Sequence, residues 1–358
     1  MPTMRDVAKQ AGVSAMTVSR VMNDPSRVHP TTRERVLEAM AVLHYVPNKG
    51  VRSNAGDALR TIALVVADFT NPFFSHIARG VESVARRFGY SVTLYNTSED
   101  ADHEWEILVS IRESRVGGVI WVPCGDVSNV SARILIEAQI PTVVVDRIIP
   151  GVPSFDAVIS DNRTGAKVIT SKVLSEGRPF LAVIMGSSVT SVTRDRLLGV
   201  QDALAEQDLP WDEAMVAYCD AIEPPDALWN EVRERVPGVA TVFAWNQIAA
   251  AAVWRGAVQA GVKVPEQLRI ATFDNPDPYG ITPGFFVVAQ QDPFRMGTES
   301  ARELLKRLES PQSLSVTTHI VPVTIQVGSQ ALNPSIMDGG RSKNSGRIQD
   351  IDTIETPS

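Results

Sequence analysis

The chain reads as a small all-α helix-turn-helix domain followed by an α/β body of two doubly wound parallel-sheet lobes. Three observations predict this. Residues 4–23, MRDVAKQAGVSAMTVSRVMN, carry two short helical patterns separated at Gly12. From Thr61 onward, apolar β-branched runs alternate with helix-length periodic segments, the order that builds right-handed βαβ units. Those runs are too many for one comfortable sheet, so two lobes are expected.

The 358 residues give room for two or three domains, and 44% hydrophobic with 21% charged residues is ordinary for a globular chain. The net charge of −7 is unevenly spread: residues 1–60 carry nine Lys/Arg against five acids, +4, which leaves −11 for the remainder. A basic head on an acidic body fits a nucleic-acid-facing head whose body does not itself stick to phosphate. The two cysteines, Cys124 and Cys219, are far apart and show no metal spacing; neither a disulfide framework nor a bound metal or cofactor is expected. There is no apolar leader at the N-terminus and no run of about 18 apolar residues, so a cytoplasmic protein without membrane contact is expected.

In the head, Thr3 with Asp6 forms a capping-box pattern, and Met4, Val7, Ala8 and Ala11 make the buried face of the first helix. Gly12 falls where a tight turn requires positive φ. Ser14 is an N-cap for a second helix. At about 100° per residue, Val18, Val21 and Met22 point inward, whereas Ala15, Met16, Ser19, Arg20 and Asn23 point outward. That is the arrangement whose second helix lies in a DNA major groove. After a loop, a third helix is expected over 31–43, with Val36, Leu37, Met40 and Leu43 closing a small core. Residues 1–46 form this domain. Residues 47–60, opened by Pro47 and rich in Gly and Asn, form a hinge or linker.

In the body, residues 61–67 have the continuous apolar texture of a strand buried on both faces. Further strands are expected over 91–95, 118–122, 142–145, 157–159, 180–184, 241–244 and 268–272. Helices are expected over 74–88, 102–114, 129–138, 164–176, 194–208, 226–235, 247–260 and 294–308. Ligands of such sheets bind outside the carboxyl ends of strands. Asp68, Asn71, Asn96, Asp146, Arg147, Asp161, Asn246, Gln247, Asp274 and Asn275 all follow strands, together with Phe73 and Phe74. Carboxylates and amides at one set of ends, with a few rings, suit a small polar ligand. Residues 333–358 are polar with weak periodicity and are expected to be disordered.

These segments resemble the LacI/GalR family of bacterial transcription regulators. The match begins with MRDVAKQAGVSAMTVSRVMN, TRERV and YVPN. It continues through TIALVVADFTNPFF, GYSVTLYNT, GGVIWVP, IPTVVVDR, VISDN, RLLGVQDAL, VFAWN, VPEQLRIATFDN and MGTESARELL, in the family order over about residues 3–330. The resemblance implies a periplasmic-binding-protein-like body (type I) over 61–332, with crossings between lobes near 161 and 290. The first lobe would be about 61–161 plus 290–321, and the second about 162–289 plus 322–332. It implies a homodimer on a near-palindromic double-stranded operator, with operator affinity controlled by a small effector between the lobes.

Carried residue by residue, the recognition-helix positions are Ser14, Ala15, Met16, Thr17, Ser19, Arg20 and Asn23. Ala15 and Met16 are the base-discriminating pair, and Arg20 reaches a guanine edge. Thr3, Met4, Arg27, His29, Thr32, Tyr45 and Asn48 match positions that contact phosphate or position the head. Val51 and Asn54 belong to the hinge. Phe73, Asp146, Arg196, Asn246 and Asp274 match effector contacts, with Phe74, Trp245 and Gln291 in second rank. The carboxylates and Arg196 favour a sugar by the hydrogen-bond inventory; a nucleoside or purine, and corepressor action, are the alternatives.

Three departures stand out. The family hinge usually reads like ALARSL, whose leucine wedges into the minor groove. Here Lys49-Gly50-Val51-Arg52-Ser53-Asn54 holds poor helix formers and an amide at the wedge. A weaker hinge helix and less operator kinking are expected. Restoring leucine at position 54 should raise both bend angle and affinity, and no change in either contradicts the expectation. Gln247 replaces the usual aspartate after Asn246, and Asp292-Pro293 replaces a single proline.

A transporter's solute-binding protein needs a signal peptide and has no use for residues 1–60. An enzyme is disfavoured because no G-x-S-x-G, P-loop or G-x-G-x-x-G is present, and His103 and His319 are isolated.

Overall fold

The computed structural model describes residues 2–23, 27–43, 45, 60–152, 155–176, 181–186, 189–219, 227–276, 285–309, 315–327 and 330–332. The hinge positions Asn48, Val51 and Asn54 and the tail over 333–358 lie outside the described residues, and of Asn23 only the backbone is described. The chain divides into two units, residues 1–58 and 59–358.

The first unit holds α1 (Met4–Ala11), α2 (Ala15–Asn23) and α3 (Pro30–Val42). The capping box at Thr3 is formed in both directions: Thr3 N–H donates to Asp6 Oδ2 at 2.7 Å and Asp6 N–H to Thr3 Oγ1 at 3.3 Å. Gly12 ends α1 with φ 64°, in the left-handed region glycine favours. Arg35, on α3, donates through Nη2 to the Ala11 and Gly12 carbonyls and so ties down the turn. Thr17 N–H donates to Ser14 Oγ at 3.1 Å, which caps α2 as its sequence requires. Val7, Ala8, Ala11, Val18, Val21, Val36 and Ala39 form the core. Leu37, expected in that core, is 48% exposed. Positions 36, 39, 40 and 43 keep the i, i+3, i+4, i+7 spacing of one helical face, and 37 lies 100° or so outside it.

The second unit carries the two sheets. The first has the order β11-β5-β4-β3-β1-β2, built from β1 (Thr61–Val66), β2 (Ser91–Asn96), β3 (Gly118–Trp121), β4 (Thr142–Val145), β5 (Asp156–Ser160) and β11 (Thr318–Val321), all parallel. Helices cover both faces. α4 (Pro72–Ala85) and α11 (Pro293–Glu309) pack on Ile62, Leu64 and Val66, while α5 (Ala101–Glu113) and α6 (Asn129–Glu137) pack on Ala63 and Val65. Alternate residues of β1 thus feed opposite cores, which explains its unbroken apolar run.

The second sheet has the order β13-β12-β10-β9-β8-β6-β7. It comprises β6 (Leu181–Gly186), β7 (Val216–Cys219), β8 (Thr241–Ala244), β9 (Arg269–Phe273), β10 (Phe286–Gln290), β12 (Thr324–Val327) and β13 (Gln330–Leu332). β12 and β13 pair antiparallel. Its helices are α7 (Asn162–Leu174), α8 (Ser191–Ala205), α9 (Leu228–Arg235) and α10 (Gln247–Gln259). The chain leaves the first sheet after β5, returns after β10 to form α11 and β11, and crosses again into β12. β7 and β10 to β13 are additions to the strands read from sequence. Each is short, and β11 and β12 have one buried position apiece instead of an apolar run.

The α4–α11 contact depends on two glycines. A Cβ on Gly80 would stand 2.3 Å from the Phe294 carbonyl oxygen, and one on Gly297 would stand 2.2 Å from that of Ile77. Backbone cannot yield locally, so a side chain must part the helices. Gly80→Ala gains roughly 1 kcal/mol of helix propensity, but overpacking of this kind costs about 3 kcal/mol. A net loss in the urea midpoint is expected, and an unchanged midpoint would show that the helices separate freely.

Candidate functional site

On the head, α2 presents Met16, 66% exposed, and the exposed Arg20. Ser19 is half-buried. Ala15, expected to point outward, is also half-buried and packs against the head core, because a first-turn residue lies close to the preceding turn. The Thr17 hydroxyl is held 2.9 Å from that of Ser14. Thr3 is tied to Asp6, whose carboxyl is held below its ordinary value by Thr3 hydrogen bonds. Met4, Thr32 and Tyr45 are half-buried; Arg27 and His29 are exposed, with His29 Nδ1 2.9 Å from Thr31 Oγ1. The surface combines an apolar probe at Met16 with a five-donor fork at Arg20.

In the body, the carboxyl ends of the two sheets enclose a cleft that is open to solvent. Its walls include Phe73, Phe74, Asp146, Arg196, Trp245, Asn246, Asp274 and Gln291. All eight effector positions carried over from the sequence therefore come together. Asp68, Asn71, Glu99, Arg147, Val192 and Gln247 line it as well. Asp68, Asn71, Arg147 and Gln247 had a signal in their strand-end positions; Glu99 and Val192 had none.

Arg196 is the centre of the second-lobe wall. It is 3% exposed, and its guanidinium carbon lies 3.6 Å from the centroid of the Phe273 ring. Its Nε donates to Asn162 Oδ1 at 2.8 Å and its Nη1 to the Trp245 carbonyl. Two anchors and a stacked ring fix the plane of the fork. Burial pulls its pKa down to about 10, against the attraction of Asp146 and Asp274.

The two carboxylates follow β4 and β9 at φ 71° and 57°, left-handed conformations that aspartate tolerates better than most residues. Such outliers gather at functional sites. Burial pushes the Asp146 carboxyl up to about 6, opposed by Arg147 and Arg196. Burial also raises that of Asp274, against hydrogen bonds from Gln291 and the charge of Arg196. Asp274 accepts from Gln291 N–H at 3.0 Å, Gln291 Nε2 at 2.7 Å and Gln290 Nε2 at 3.0 Å.

Arg147 grips Glu99 with both terminal nitrogens, at 2.7 and 2.6 Å. Burial works against its charge, but the Glu99 carboxylate outweighs it and raises the pKa. Asn246 caps α10 through Ala249 N–H at 2.8 Å. Asn71 caps α4 and also accepts from Gln247 Nε2, across the cleft, at 2.8 Å. Three polar atoms of the walls, Arg147 Nε, Trp245 Nε1 and Gln291 Oε1, are buried without a hydrogen-bond partner. Arg147 Nε stands 3.6 Å from Asp146 Oδ2 in an ion pair, and buried polar groups left without a hydrogen bond cost about 1–3 kcal/mol each.

Among the described residues, no group of three metal-ligating side chains occurs, and no helix is long and apolar enough to cross a membrane.

A three-helix head with an exposed recognition helix, carried on a two-lobed ligand-binding body, defines a sequence-specific DNA-binding transcriptional regulator, not an enzyme. Residues 3–48 match the bacterial regulatory proteins of the lacI family, and residues 60–319 match the periplasmic binding proteins and sugar-binding domain of the LacI family. The chain belongs to the LacI family.

Among its relatives is the ribose operon repressor of Bacillus subtilis, 33% identical over 325 residues that span 90% of this chain and 97% of that protein. The ribose operon repressor of Halalkalibacterium halodurans is 32% identical over 91% of this chain and 96% of that one. Among solved structures, the transcriptional regulator CelR in complex with cellobiose superposes with a TM-score of 0.68 at 28% identity, covering 92% of this chain and 99% of that chain.

Proposed function

We propose that the protein is a transcriptional repressor whose affinity for a near-palindromic operator is controlled by a neutral sugar bound between the lobes, with ribose the first candidate. The carrying observation is the convergence of Arg196, Asp146, Asp274 and Asn246 on one cleft. Arg196 forks to two vicinal hydroxyls, and the two carboxylates accept from hydroxyl donors. Phe73 supplies an apolar face for the ring. Four carboxylates (Asp68, Glu99, Asp146, Asp274) and two arginines line the cleft, an excess of negative charge that disfavours phosphate esters. The names of the two ribose operon repressors support the choice of ribose.

In this reading residues 1–46 read DNA and 47–60 form the hinge. The effector-binding and dimerisation body is 61–332, and 333–358 is a tail. Two copies present one head to each half-site. Met16 meets a thymine methyl, with Ala15 beside it at the helix start, and Arg20 meets guanine. Thr3, Met4, Arg27, His29, Thr32, Tyr45 and Asn48 hold the head on the backbone, with Ser14, Thr17, Ser19 and Asn23 beside the bases. The protein acts in the cytoplasm and joins the nucleoid when bound.

A thermal-shift screen of the full chain against pentoses, hexoses, their phosphates and nucleosides tests the effector class. A sugar at 100 times its dissociation constant should add about 2.7 kcal/mol. Stabilisation by nucleosides or phosphates alone would overturn the reading.

A further inference from the structure

A seam between the lobes, outside the effector contacts, meets at Gly125. That residue follows β3 in the first lobe and lies against Val189 of the second. Asp126 N–H donates to the Val189 carbonyl oxygen at 3.2 Å, and a Cβ on Gly125 would stand 2.8 Å from the same oxygen. Gly125 has φ 165°, extended backbone that any residue adopts. Local conformation therefore does not call for glycine here; the approach of the other lobe does.

The rest of the seam is polar. Arg194 Nη2 donates to Asp126 Oδ2 at 2.5 Å, and Ile148 N–H donates to Ser191 Oγ at 2.9 Å. The first-lobe side of the seam is held from within. Arg147 Nη1 donates to the Pro123 and Cys124 carbonyls at 3.0 and 3.1 Å, and the buried Glu104 accepts Cys124 N–H at 2.7 Å. Arg147 is the neighbour of Asp146 and lines the cleft, so the loop and the effector wall share one rigid support.

We infer that Gly125 and Asp126 are positioning residues, a closure stop that sets how near the first-lobe effector groups come to Arg196, Asn246 and Asp274 across the cleft. This rests on the cleft being the effector site, but the first readout needs no effector.

Spin labels on cysteines replacing the exposed Arg112 and Glu234, one in each lobe of the full chain, report the interlobe distance; the native Cys124 and Cys219 are buried. Gly125→Ala should lengthen that distance and leave the melting temperature of the unliganded protein unchanged, because the parted lobes accommodate the methyl. It should also weaken ribose binding on the order of tenfold or more. Asp126→Asn breaks only a partly exposed pair and should weaken binding less than about fivefold. An unchanged distance overturns the inference, as does a lowered melting temperature at constant distance, which would make Gly125 a packing residue. A lengthened distance in a protein whose wild type binds no sugar upholds the stop and overturns the effector reading.

Discussion

Arg196→Ala is expected to reduce sugar affinity by at least about a hundredfold. Two hydrogen bonds from a charged fork contribute about 1.5–3 kcal/mol each, and 1.4 kcal/mol corresponds to tenfold. The loss extends beyond those bonds. Asp146 and Asp274 both draw on the Arg196 charge, so its removal leaves two buried carboxylates less compensated. Arg196→Lys should not restore affinity, since an ammonium can neither fork to two hydroxyls nor reproduce the planar contact with Phe273. Titration calorimetry on the three proteins checks this, with operator binding in the absence of sugar as the control for folding. An alanine variant that binds and responds fully would remove Arg196 from the site.

Asp146→Asn should separate stability from function. In the folded protein the Asp146 carboxyl titrates near about 6, against an ordinary value of 3.8. Folding therefore favours the protonated form. Its stabilising contribution is complete below pH 3.8 and is lost as the pH rises through about 6, so at pH 7 the buried carboxylate opposes folding. Asparagine removes that opposition, and a gain of about 1–3 kcal/mol is expected at pH 7. The same substitution removes a charged acceptor for a sugar hydroxyl and should weaken binding by about tenfold or more. In the wild type, affinity should fall as the pH drops below about 6, because the acceptor must first lose its proton. In the variant that dependence should disappear. Denaturant midpoints and binding curves between pH 5 and 7.5 check both halves, and a flat wild-type profile contradicts the role given to Asp146.

Much of this site is legible in the sequence because strand ends are. Thr142–Val145 and Thr241–Ala244 are short, continuous apolar runs, and the polar residues that follow them, Asp146 and Asn246, fall at the cleft without further information. Arg196 is different. It sits inside α8, ten residues after the end of β6 at Gly186 and not at the strand end itself, and only the family resemblance marks it. Glu99 reaches the cleft from a loop after β2 at φ 59°, held by a partner 48 residues away; nothing local predicts that pairing. The strands not read from sequence are edge or crossing elements, such as β7 and β11, whose stability comes from pairing with residues distant in the chain. Leu37 shows the complementary limit. Its apolar character suggested burial, but helical phase, which gives the core place to Ala39, decides against it.

The expected coupling is that sugar in the body changes the grip of the head. It is tested most directly by fluorescence anisotropy on the near-palindromic duplex that the full chain selects from random sequence, at fixed salt because phosphate contacts make affinity steeply salt-dependent. Adding ribose should change operator affinity by about tenfold or more in the wild type, a coupling of about 1.4 kcal/mol, and leave Arg196→Ala unaffected. The same affinity with and without every pentose and hexose tested would contradict it.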